Sequence, residues 1–271
     1  MKKITTSLLL FTFMLLIHGC TQQETSEFTD WAIIETYIQP GDYLNVKVTR
    51  QLPFSSDVEY AADDINNLSI TVTSDNIVYN LIPLGDGVYI DSSLIVTENA
   101  EYTLSFLFNS QVVSAYTYIP SKPRNFKQSV TSIYVTRIDS TSGFPSGGFS
   151  MPDPVELTWD NPNNDYYLAI VENVETTLDP IRDFGDNEPP SNIFRKSPTT
   201  SAATEIRSQE FQYFGTHRII LYHVLPDYAA LYNENTTSSQ NLTNPSTSIT
   251  NGYGIFTGLN ADTLFIEVRE D

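Results

Sequence analysis

Apolar residues recur at every second position in short runs along most of this chain, a period that suits strands and not helices. Tyr102, Leu104, Phe106 and Phe108 alternate with Thr103, Ser105 and Leu107. Leu44, Val46 and Val48 alternate with Asn45, Lys47 and Thr49, and Leu68, Ile70 and Val72 with Ser69, Thr71 and Thr73. Successive side chains of a strand point to opposite faces, so each run buries one face and solvates the other. Turn residues punctuate the runs. Pro40-Gly41-Asp42 follows a run over 31–38, Gly85-Asp86-Gly87 separates 76–84 from 88–90, and Asn109-Ser110 leads into 112–119. Gly, Asn and Asp tolerate the positive φ of tight hairpin turns.

A second set of runs begins beyond Pro120 and Pro123, at 130–138. Val155, Leu157 and Trp159 alternate with Glu156 and Thr158, the Asn/Pro-rich stretch 160–165 turns the chain, and 166–174 returns. An inward tryptophan before such a turn resembles the core hairpin of a fibronectin-type-III sandwich. Further strands are expected at 211–214, 218–224 and 264–268. Pro226 and Asp227 followed by good helix formers predict a two-turn helix over 226–232. The expected fold is therefore all-β: two immunoglobulin-like or fibronectin-III-like β-sandwich domains, over 30–122 and 123–271, with one short C-terminal helix and long loops. Two connections, 139–153 and 176–203, exceed the roughly 12–15 residues beyond which loops are usually functional or disordered. Phe144 and Phe149 in the first, and Phe184 and Phe194 in the second, either tuck back onto the sandwich or form a partner-binding surface.

The N-terminus reads as an export signal. Lys2 and Lys3 precede an apolar stretch over 8–17, which at about 1.5 Å per residue is too short to span a hydrocarbon core of roughly 30 Å. It ends in Ile17-His18-Gly19-Cys20, which resembles a lipobox, so residues 1–19 are expected to be removed and Cys20 to be lipidated. Several acyl chains on one cysteine make a stable membrane anchor, where a single chain holds only marginally. Cys20 is the only cysteine, so no disulfide can form within the chain. Residues 20–29 are polar and read as a lipidated tether. Thr21 stands where an aspartate would signal inner-membrane retention.

Charge narrows the partners. Removing residues 1–19 takes two of the 14 basic residues and none of the 33 acidic ones, leaving 252 residues with a net charge of −21. Nucleic-acid binding needs clustered Lys and Arg, so that class is excluded. Catalytic motifs are missing as well: there is no G-x-S-x-G, H-E-x-x-H, Walker loop or cysteine-based zinc site. His217 and His223 share a strand face with Ile219 and Leu221, roughly 20 Å apart, too far to hold one metal. Asp63 with Asp64, Asp160 with Asp165, and Asp183 with Asp186 and Glu188 offer hard oxygens, yet none fits a calcium loop, and neither a metal nor another cofactor is expected. Trp159 continues the Val155/Leu157 face and is expected in the core.

Several segments carry a family resemblance: Ile33-Ile34-Glu35-Thr36-Tyr37-Ile38, then Val46-Lys47-Val48-Thr49-Arg50 with Leu52-Pro53-Phe54, a strand over 62–72, Tyr79-Asn80-Leu81 leading to Gly87-Val88-Tyr89, Tyr102-Thr103-Leu104, a strand closing at Ile119-Pro120, and Asn251-Gly252-Tyr253-Gly254-Ile255-Phe256 near the C-terminus. They resemble an uncharacterised lipoprotein family of Bacteroidota, the domain of unknown function 4249. Thr36 departs from its usual glycine. The resemblance implies an outer-membrane lipoprotein of β-sandwich build, often found beside TonB-dependent transporters, and brings no catalytic residues. The expected function is thus a non-catalytic, lipid-anchored accessory subunit of an outer-membrane, TonB-dependent-transporter-type complex, on the periplasmic or cell-surface face. A surface glycan- or ligand-binding module is the alternative. Asp139-Ser140-Thr141 and Asp262-Thr263-Leu264 resemble the O-glycosylation site of the same bacterial group.

Overall fold

The computed structural model describes residues 30–52, 63–138, 152–185, 187–234 and 247–271. Through these the chain forms β1 (Ala32–Ile38), β2 (Tyr43–Arg50), the short helix α1 (Asp63–Asn66), β3 (Thr71–Ser74), β4 (Ile77–Asn80), β5 (Ile82–Gly85), β6 (Val88–Ile95), β7 (Glu101–Phe108) and β8 (Gln111–Tyr118). It continues as β9 (Lys127–Gln128), β10 (Ser132–Val135), β11 (Val155–Thr158), β12 (Tyr166–Asn173), β13 (Asp179–Pro180), β14 (Ile193–Arg195), β15 (Ala203–Ile206) and β16 (Tyr213–Val224). Helix α2 (Pro226–Glu234), β17 (Ile249–Thr250) and β18 (Tyr253–Glu270) complete it. The fold is all-β, as expected, with its strands gathered in packed sheets, and the helix begins at the expected proline.

Alternation in sequence becomes burial. In the first sandwich β18-β1-β2-β6-β5 faces β17-β8-β7-β3-β4, and Leu44, Val46, Val48, Tyr102, Leu104, Phe106 and Phe108 all enter one core. The β7–β8 hairpin turns on Asn109 and Ser110, with φ of 48° and 64°, the pair of left-handed residues whose twist matches the flanking strands. In the second sandwich β14-β12-β16-β18 faces β15-β11-β9. Trp159 is 5% exposed there, packed with Val155, Leu157 and Val171. Its ring lies 5.4 Å from that of Tyr167, which stacks on His223 at 4.7 Å.

One strand joins the two. β18 runs parallel to β1 as far as Gly258, then antiparallel to β16 from Leu259 to Val268. Its passage between cores requires glycines. A Cβ on Gly258 would overlap the carbonyl of Tyr118, and Gly254 combines φ of 98° with close approach to the Ile34 carbonyl. These contacts account for the Gly-aromatic stretch at 251–256. The link between sandwiches is held from the same place. Asn260 Nδ2 donates to the Pro120 carbonyl at 3.0 Å, and His223 Nδ1 donates to the Ser121 carbonyl at 2.8 Å.

The structure departs from the sequence reading in particular places. Residues 76–84 form two strands in different sheets, because Leu81 is buried and its N–H bonds the Ile70 carbonyl, carrying the chain across. The strand expected over 62–72 begins only at Thr71. Before it, α1 is locked by tertiary bonds: Asn66 accepts from Gly87 N–H at 2.7 Å, and the Tyr89 hydroxyl donates to the Ile65 carbonyl. The 176–203 loop contains β13, paired with β16, and β14, paired with β12. Residues 249–258 return to the first sandwich, so Ile249 and Phe256 belong to the core of 30–122.

Candidate functional site

Among β3, β4, β7, β8 and β17 the only charged residue is Glu101. These strands make the five-stranded sheet, and its outward side chains fall in cross-strand rows. Thr250, Ser114, Ser105, Thr71 and Asn80 are successive partners across all five strands. The next row is Tyr116, Thr103, Thr73 and Val78. Leu107 pairs with Val112 at one end of the face, and Glu101 pairs with Tyr118 at the other. Val78, Leu107, Val112 and Tyr116 are each more than half exposed. Burial of the ring and the neighbouring Glu101 carboxylate, to which it hydrogen-bonds, raise the Tyr116 phenol above its ordinary pKa. The result is a solvent-facing sheet of hydroxyls, rings and aliphatic side chains with one carboxylate at its margin.

A concave feature lies where the sandwiches meet, against the continuous sheet in which β18 joins β1 to β16. It is a cleft of about 420 Å³. Leu168, Val224 and Leu259, all buried, form a small apolar cluster beneath it. Tyr37 comes from β1, Tyr222 from β16 and Tyr228 from α2; the Tyr37 and Tyr228 rings meet edge to face at 5.9 Å. Glu35 on β1, Gln39 directly after that strand, Ile170 on β12 and Arg195 on β14 complete the lining. Helix α2 is fixed over β18 by the buried Thr257 hydroxyl, which donates to Asp227 Oδ1 at 3.0 Å, and this places Tyr228. Burial pushes the phenols of Tyr37, Tyr222 and Tyr228 above their ordinary range, so each keeps its O–H at neutral pH.

The residues singled out from sequence are dispersed. Cys20, Phe144, Phe149, Asp186 and Asp139-Ser140-Thr141 lie outside the described residues. Phe184 is half-buried. Phe194 tucks back onto the second core, edge to face with Phe211 at 6.2 Å. His217 is buried beside Asn173, and His223 braces the link between sandwiches, so both have structural surroundings. Thr263 of Asp262-Thr263-Leu264 is exposed but paired within β18, while Asp262 forms an ion pair with Lys122. Among the described residues, no group of three or more His, Cys, Asp or Glu is arranged to hold a metal, and no helix is long and apolar enough to cross a membrane. Sequence reasoning missed both surfaces. The scarcity of charge over 71–80 and 101–118, where only Asp75 and Glu101 are charged, was a usable signal for the sheet face. The cleft had none, because its residues lie far apart in the chain.

No curated protein matches the sequence. Among solved structures, titin domains A168–A170 align over 71% of this chain at 9% identity and a TM-score of 0.21. The present chain spans 59% of the length of that structure. The profile of the domain of unknown function DUF4249 matches residues 21–264. That match extends over both sandwiches and into β18 as far as Leu264, and the chain belongs to the DUF4249 family.

Proposed function

We propose that this chain is a lipid-anchored outer-membrane lipoprotein, held through Cys20, that acts without catalysis as an interaction subunit of a TonB-dependent-transporter-type complex. The observation that carries the reading is the outer face of the five-stranded sheet, which holds one charged residue, Glu101, at its margin. On a chain with 33 acidic and 14 basic residues, five adjacent strands with a single carboxylate form a region whose water is readily displaced. The cores of protein interfaces are depleted in charge and enriched in tyrosine, and Tyr116, Tyr118, Val112 and Leu107 supply that chemistry here. Sharing β18 also suits a docking subunit, since a strand common to both cores limits the ordering entropy lost on binding.

Two measurements test this. Radiolabelled palmitate should enter the wild-type chain and not a Cys20→Ala variant. Affinity purification from outer membranes should recover a TonB-dependent transporter with the wild type. A Thr73→Lys/Thr103→Lys double variant, which places two charges in the Tyr116 row, should lose it while keeping the wild-type melting curve. Equal recovery by both chains would rule out this face as the contact.

A further inference from the structure

We infer that the cleft at the seam of the two sandwiches is a binding site for a neutral sugar ring. The site is separate from the proposed docking face and independent of that reading. Its volume, about 420 Å³, falls within the roughly 300–1,000 Å³ of small-molecule sites. The chemistry of its lining narrows the ligand. A pyranose has apolar C–H patches and a rim of hydroxyls that both donate and accept. Apolar patches require rings or aliphatic side chains, supplied here by Tyr37, Tyr222 and Tyr228 above Leu168. Adjacent hydroxyls require planar groups with two polar atoms side by side, and the cleft presents a carboxylate, an amide and a guanidinium in Glu35, Gln39 and Arg195.

Three further observations favour a neutral ligand. Among the described residues, the side chains of Glu35, Gln39 and Arg195 have no hydrogen-bond or ion-pair partner, whereas Arg50, Arg137, Lys196, Arg207 and Arg218 are each paired with a carboxylate. The polar groups of the cleft are therefore available to a ligand. The single negative and single positive charge of Glu35 and Arg195 cancel, so the site selects neither sign. The chain as a whole carries −19, which opposes the approach of an anion.

Both sandwiches contribute, since Glu35, Tyr37 and Gln39 come from the first and Arg195 and Tyr222 from the second. The site exists only while β18 holds them together.

The test is isothermal titration of the full lipidated chain, in a detergent without a sugar headgroup. The probes are tetrasaccharides of glucose, galactose, mannose, xylose and N-acetylglucosamine, with the dipeptide glycyl-tyrosine as a zwitterionic control. At least one tetrasaccharide should bind. Its affinity should fall at least about tenfold in Tyr228→Ala and in Arg195→Met, where a ring platform or a bidentate donor is lost. Tyr222→Phe, which removes one hydroxyl and keeps the packing, should cost about three- to tenfold. The Thr73→Lys/Thr103→Lys variant should bind as the wild type does. Failure of all five probes, binding that survives the three cleft substitutions, or saturation by glycyl-tyrosine in preference to every sugar would each overturn the assignment.

Discussion

Phe256 and Ile266 lie on the same strand, and each is buried in a different hydrophobic core. The strand that carries them changes its pairing at Gly258, where the backbone passes against the Tyr118 carbonyl and its N–H donates to Thr117 Oγ1 at 2.8 Å. A methyl group there has no space that side-chain movement could clear, because the obstacle is backbone. Gly258→Ala should destabilise the protein by roughly 1–3 kcal/mol, the usual cost of overpacking a filled site. Because β18 belongs to both cores, the loss should appear as one shifted transition in both tryptophan fluorescence and far-UV circular dichroism. Two separate transitions, only one of them shifted, would show that the cores unfold independently.

Acid sensitivity should trace to His217. Burial beside Phe211 lowers its pKa from 6.5 to about 4, although the Gly215 carbonyl and the Glu175 carboxylate pull the other way. Nδ1 lies 3.0 Å from the Gly215 carbonyl, which can only accept, so the neutral ring carries its proton there and leaves Nε2 facing Asn173 Nδ2 at 3.4 Å. Between pH 6.5 and 4 the unfolded chain binds a proton that the folded chain refuses. The contribution is complete above pH 6.5 and is lost as pH falls toward 4. Between pH 7 and pH 4.5 the unfolding free energy from urea titration should drop further for the wild type than for His217→Gln, by roughly 2–3 kcal/mol. Identical drops would show that other groups govern acid unfolding.

Trp159 combines a buried ring with an Nε1–H that has no acceptor among the described residues. Removing the ring entirely should be expensive: Trp159→Ala should cost roughly 3–5 kcal/mol. Trp159→Phe keeps much of the apolar contact and eliminates the unpartnered donor, whose burial costs about 1–3 kcal/mol. The two effects oppose each other, so Phe should cost less than about half of the Ala penalty. Equal losses in chemical denaturation would mean that the indole N–H is satisfied in solution.

How much was legible follows from how local each cause is. The alternation of Tyr102, Leu104, Phe106 and Phe108 carries its own burial pattern, and Asn109-Ser110 carries its own turn, so that hairpin could be read directly. Trp159 was placed correctly for the same reason. Leu81 could not be, because its switch between sheets depends on a bond to Ile70 and on the walls of a core built elsewhere in the chain. Helix α1 depends on Gly87 and Tyr89, more than 20 residues away. The seam cleft is the extreme case. Tyr37 and Tyr228 touch only because β18 brings the first strand and the last helix to one face, and no spacing within a segment records that.

The Asn109-Ser110 turn is also where the chain can be improved. Both residues occupy left-handed backbone, and for an L-residue with a side chain that region costs roughly 1–2 kcal/mol. Asn109 has a compensating role, since its Nδ2 donates to the Asp30 carbonyl at 3.2 Å and to Asp30 Oδ2 at 3.1 Å. Asp30 is also paired with Arg50, so Asn109 fastens the hairpin tip to the start of β1. Ser110 has no such bond among the described residues. Replacing it with glycine removes the steric cost and adds some backbone entropy to the unfolded chain, for a net gain of up to about 1 kcal/mol. Ser110→Gly should therefore raise the urea midpoint without changing its slope, whereas Asn109→Gly should lower it by breaking the contacts to Asp30. If Asn109→Gly proved the more stabilising of the two, relief of backbone strain would outweigh the anchorage of β1.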